Sequence, residues 1–94
     1  MENSVKKAIE IIEGKKGENI KVYDVQGKNP FMDYVVVCDG SSSVKMEAIA
    51  TELKKEIPTY KSMEGAGESQ WILIDFGDFI VNIFNEEKRE YYNI

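Results

Sequence analysis

The stretch WILIDFGDFIVNIF, residues 71–84, constrains the fold more than any other part of the chain. Gly77-Asp78 suits the two-residue primed turns of tight hairpins. A turn there sets Phe76 opposite Phe79, Ile74 opposite Val81 and Ile72 opposite Ile83. Side chains alternate along a strand, so these six apolar residues share one face, which is the expected core. The other face carries Trp71, Leu73 and Asp75 opposite Phe84, Asn82 and Ile80. It is too apolar to meet only water, while Asp75 and Asn82 make it too polar for a dry core. Two readings fit: a helix covers this face with the polar groups at its margin, or the face binds a partner.

The remaining segments supply the elements around this hairpin. Val5, Ala8, Ile9 and Ile12 recur at helical spacing with Gly14 placed to end the run, which predicts a helix over 4–13. IKVYDV (20–25) alternates and DYVVVC (33–38) is almost continuously apolar, so both read as strands, the second buried on two faces. Between them QGKNPFM, with Gly27 and Pro30, reads as an irregular connection. Serines after Asp39-Gly40 can cap a helix, and Met46, Ile49, Ala50, Leu53 and Ile57 predict it over 42–57, with Pro58 as its stop. TYKSME (59–64) is a weaker strand and GAGES a loop; Asn85 can cap a short last helix that opens with Glu86 and Glu87. The order implies an α/β (α+β) fold with a single mixed sheet of about five strands flanked by helices, as one domain over 1–94.

Charge and cysteine content narrow the function. The chain has 12 Lys plus Arg against 17 Asp plus Glu and no His, a net charge of −5. Phosphates are repelled by such a surface, which argues against sequence-independent nucleic-acid binding; the expected partner is a basic protein or a small ligand, and no sequence-specific nucleic acid is expected either. Cys38 is the only cysteine. It can form no internal disulfide or zinc site, and without a histidine to activate it, it reads as a small buried residue. No apolar run reaches about 18 residues and no signal-peptide pattern opens the chain, so no membrane partner is expected and the expected address is cytoplasmic.

No catalytic constellation assembles from the residues. Asp75-Phe76-Gly77 matches the kinase triplet but lacks the glycine-rich loop, strand lysine and catalytic loop that a kinase needs. Gly40-Ser41, between a strand and a helix, resembles the phosphate-binding turn of nucleotidyltransferases. Those enzymes also hold magnesium with paired carboxylates, and TYKSME supplies only Glu64. Asp75 and Asp78 straddle a turn and need not converge on a metal, and Gly65-Ala66-Gly67 lacks the Walker lysine. A binding protein without a cofactor is expected. The alternative is a small nucleotidyltransferase-like enzyme that uses Gly40, Ser41 and an acidic residue with magnesium and a nucleotide.

YDVQG, then FMDYVVVCDGSSSVKMEAIA, then EG followed by WILIDFGDFIVNIFNEEKREYY resemble, in order and approximate spacing, the ribosomal silencing factor family, also called Iojap-like or RsfS proteins. The resemblance runs over about 5–92; its most specific part is W-x-L-x-D-x-G-D, followed by the apolar strand and R-E-Y-Y. It implies a translation repressor that binds the large ribosomal subunit through ribosomal protein L-fourteen and blocks joining of the subunits when nutrients are scarce. It also implies a topology similar to that of nucleotidyltransferases without their catalytic carboxylates. Under this resemblance Trp71, Leu73, Asp75, Asp78, Ile80, Asn82 and Phe84 become the expected partner contact. A homodimer that buries the same face when free is the competing use.

Two departures from the family pattern bear on that contact. Asn82 stands where many members have a histidine, and the sequence stops at Ile94 where many continue with a tail containing leucine and tryptophan. Contacts at both places are expected to differ. Arg89, Tyr91 and Tyr92 are expected to anchor the last helix.

Overall fold

The apolar stripes anticipated for the two helices face one side of a single sheet in the computed structural model, which describes residues 3–65, 70–87 and 89. Helix α1 (Asn3–Gly14) contributes Val5, Ala8 and Ile12, and helix α2 (Ser43–Glu56) contributes Met46, Ile49, Ala50 and Leu53. The strands are β1 (Glu18–Asp24), β2 (Tyr34–Gly40), β3 (Ser62–Glu64), β4 (Trp71–Asp75) and β5 (Phe79–Asn85), in the spatial order β1-β2-β5-β4-β3. Only β2 and β5 pair in parallel; the other neighbours are antiparallel. The sheet is therefore mixed, and the fold is α+β, as the element order implies.

The hairpin adopts the register that its alternation demands. Ile72 pairs with Ile83 and Ile74 with Val81. Phe76 N donates to Phe79 O at 3.0 Å. Gly77 alone in the turn takes positive φ, at 92°, the arrangement of a type II′ turn, which a side chain would strain. Ile72, Ile74, Phe76, Phe79, Val81 and Ile83 are all buried, with Val36 and Cys38 of β2 and the helix stripes closing over them. Phe76 and Phe79 stack with ring centroids 5.0 Å apart.

Three local departures have physical causes. Gly14 remains helical and Lys16 takes the left-handed position, at φ 67°, where Lys16 N donates to Glu13 O (3.0 Å) and Gly17 N to Ile12 O (2.8 Å). These two bonds form a Schellman motif and compensate a lysine for a conformation normally left to glycine. Of the strand anticipated over 59–64, only Ser62–Glu64 pairs. Tyr60 N turns back to Ile57 O at 3.3 Å, and its ring packs edge-on against Phe76, 6.2 Å away, beneath the Lys54 ammonium. Strand β1 begins earlier than its apolar run, through an irregularity between Glu18 and Lys21 where Asn19 takes φ 51°.

After β5, Glu86, Glu87 and Arg89 are helical. The Asn85 side chain caps this turn by accepting from Glu87 N at 3.0 Å. Tyr91 and Tyr92, expected to anchor it, lie outside the described residues, as do residues 66–69 of the GAGES loop.

Candidate functional site

Since α1 and α2 share one side of the sheet, the opposite face is not covered by either. Register across the five strands arranges this outer face in rows. One row runs Tyr23, Val35, Ile80, Asp75, Ser62, and the next runs Lys21, Val37, Asn82, Leu73, Glu64. A third holds Asp39, Phe84 and Trp71. The hairpin residues singled out from sequence thus sit in the middle of a wider surface, with β2 and β1 beside them.

Directed contacts fix the hairpin side chains on this face. Trp71 Nε1 donates to Asn82 Oδ1 at 3.0 Å, and the indole stacks on Phe84 with centroids 5.3 Å apart and planes 15° apart. Trp71 is 44% exposed, whereas Asn82 and Phe84 are only 7% and 2% exposed. Asn82 and Phe84 therefore form the floor that holds Trp71, and Trp71, Leu73 and Ile80 present apolar surface above it. Alternation had assigned all five to one face but could not assign their depth. Beside Trp71 and Leu73, a cleft of about 280 Å³ opens toward Glu64 and Gly65.

The two aspartates of the hairpin have separate roles. Asp75 Oδ1 accepts from Gly77 N at 2.8 Å and so caps the turn. Asp78 is exposed, and its carbonyl accepts from Asp33 N at 2.6 Å, which ties the turn to the entry of β2. Among the described residues no group of three or more His, Cys, Asp or Glu side chains is placed to hold a metal ion.

At the opposite end of the same face sits a buried polar group that sequence reasoning missed. Arg89 Nη1 lies 2.9 Å from Asp39 Oδ1, and Asn19 Nδ2 donates to Asp39 Oδ2 at 2.8 Å. The same guanidinium nitrogen donates to the Asn19 carbonyl. Arg89 was expected to anchor the last helix, and it does so by tying that turn to β2 and to the irregular start of β1. The available signal was Asp39 itself, a carboxylate directly after an apolar run, where burial requires a partner.

The nucleotidyltransferase-like alternative finds little support at its named residues. A Cβ at Gly40 would stand 2.6 Å from Met46 Cγ and 3.2 Å from Met46 N, so α2 already fills the space against this strand end. Ser42 Oγ accepts from Lys45 N at 3.1 Å, the capping role anticipated for one of the serines. Glu64 lies on β3, with β5 and β4 between it and the strand bearing Gly40. Burial, and then the neighbouring Asp39 charge, push the Cys38 thiol up to about 12, with Arg89 opposing in part. It remains a neutral thiol within the core. Among the described residues no helix is long and apolar enough to cross a membrane.

Comparisons with known proteins extend over the whole chain. Residues 1–94 match a family described as ribosomal silencing factor during starvation. The chain is 37% identical over 84 residues to the ribosomal silencing factor RsfS of Bacillus subtilis, covering 85% of this chain and 71% of that protein. It is 36% identical over 90 residues to the RsfS of Haemophilus influenzae, covering 92% and 88%. A crystal structure of a Chromobacterium violaceum protein superposes with a TM-score of 0.89 at 29% identity, covering 99% of this chain and 82% of that one.

Proposed function

The chain belongs to the ribosomal silencing factor family, and from that premise we propose that its outer sheet face docks on ribosomal protein L-fourteen of the large subunit. Bound there, it occupies space that the small subunit needs and represses translation when nutrients are limiting. The site of action is then the cytoplasm, where the subunits meet. The role is steric and regulatory, with no reaction to catalyse.

The observation that carries this reading is the Trp71 platform. Trp71 is held by Asn82 and Phe84, stays 44% exposed, and is flanked by half-buried Leu73 and Ile80. Apolar anchors with little freedom left to lose are what the centre of an interface of about 800 Å² per partner requires. Exposed Asp78 at the rim, on a chain of net charge −5, suits a basic ribosomal protein and speeds encounter more than it tightens the complex.

Leu73→Glu tests the reading. The variant is expected to retain the circular dichroism of the native protein, to lose co-sedimentation with purified large subunits, and to leave subunit joining uninhibited. A folded variant that still sediments with the subunits overturns the placement of the contact. Sedimentation of the free protein at several concentrations separates this use of the face from self-association.

A further inference from the structure

We propose that the cleft at the β3–β4 corner is the seat for an arginine side chain of the docked protein. The proposal rests on the docking reading and names the chemistry that the partner brings to this corner. Glu64 and Leu73 are cross-strand partners in the register of β3 and β4, and Trp71 lies two residues before Leu73 on the same face. Together with Gly65 they line a space of about 280 Å³. Pockets for drug-sized ligands begin at about 300 Å³ and extend to about 1,000 Å³, so this one suits a single long side chain better than a nucleotide.

Its composition selects among side chains. An apolar group would strip water from the Glu64 carboxylate and return nothing, and an acidic one would be repelled. A lysine ammonium is a strongly hydrated point charge. A guanidinium is more weakly hydrated, lies flat against an aromatic ring, and offers parallel N–H groups to a carboxylate. Among the described residues the cleft combines an indole, a leucine for the aliphatic stem and the Glu64 carboxylate at its exposed edge. Trp71 cannot easily swing aside, because Asn82 holds its edge and Phe84 stacks on it. The orientation is therefore set before the partner arrives, which lowers the entropic cost of docking.

Trp71 is the only tryptophan, so its emission reports on this cleft alone. Titration with N-acetyl-arginine amide should change that emission saturably, whereas the uncharged isostere N-acetyl-citrulline amide should not. Glu64→Gln should abolish the response and weaken binding to purified large subunits about 5- to 10-fold, as expected for one charge-assisted contact, with the difference shrinking at high salt. An equal response to the two amides, or a Glu64→Gln variant that binds subunits as tightly as the native protein, overturns the proposal. If Leu73→Glu loses the subunits while Glu64→Gln keeps them, the cleft assignment fails and docking stands. If the arginine amide binds through Glu64 but Leu73→Glu still sediments with subunits, docking on this face fails and the seat for the docked protein's arginine is overturned with it, while the cleft stands as an arginine site.

Discussion

The β4–β5 hairpin builds both faces of the sheet from alternating residues, and the two faces become ordered by different means. On the inner face, Ile72, Ile74, Phe76, Phe79, Val81 and Ile83 are held by close packing beneath α1 and α2. On the outer face, order comes from directed contacts: the Trp71–Asn82 hydrogen bond, the Trp71–Phe84 stack, the Asp75 turn cap, and the Asp39–Arg89–Asn19 group. Packing stabilises in proportion to the apolar area removed from water, about 25 cal/mol per Å². Directed contacts fix the orientation of buried Asn82 and Phe84 while Trp71, Leu73 and Ile80 keep part of their surface exposed. A face can thus be ordered at its floor and still present apolar groups above it.

Truncation of a stacked core ring gives the largest expected effect on this contrast. Phe79→Ala should cost about 3–5 kcal/mol in urea denaturation, the range for removing a buried phenyl ring. A cost near zero would break the assignment of stability to the inner face. Asp39→Ala comes next, at about 3 kcal/mol, because it removes the carboxylate that sits 2.9 Å from the buried Arg89 guanidinium. That is a core-sized loss from an outer-face residue, and a double variant that also converts Arg89 to Met should recover much of it; a single variant as stable as native would show that the pair is solvated.

Asn82→Leu sharpens the distinction at smaller scale. It should change stability by about 1 kcal/mol or less, yet shift Trp71 emission and weaken large-subunit binding several-fold, because the indole loses the acceptor that orients it. Unchanged emission and affinity would mean that stacking on Phe84 suffices. Leu73→Glu is expected to have the smallest effect on stability, within about 0.5 kcal/mol, partly from placing a carboxylate opposite Glu64. The same variant should show the greatest loss of docking. Stability and binding would then rank the two faces in opposite order.

What could be read from sequence follows from the range of the interactions concerned. The hairpin register and the identity of its core face were legible because alternation and a two-residue turn are local constraints, and both agree with the observed pairing of Ile72 with Ile83 and Ile74 with Val81. The parallel pairing of β2 with β5 was not legible. It depends on a crossover through α2 and two further strands, and without it nothing places Val35 and Tyr23 beside Ile80. The Asp39–Arg89 contact spans 50 residues and leaves no periodicity behind. Lys16 in a left-handed conformation runs against composition, since the two capping hydrogen bonds that compensate it appear only once α1 is formed.

Strand β5 is last of the five in sequence and central in space. That placement makes every complete row across the outer face depend on β5. Until β5 inserts, β2 and β4 each expose an unpaired edge, and no row across the sheet is complete. Parallel pairing of β5 with β2 must close a long loop, which favours slow, all-or-none assembly of this surface over gradual growth. A chain in which α1, β1, β2 and α2 have already formed still lacks the centre of the proposed docking face. For a protein whose proposed target is the machine that makes it, competence to bind is withheld until synthesis has passed Asn85.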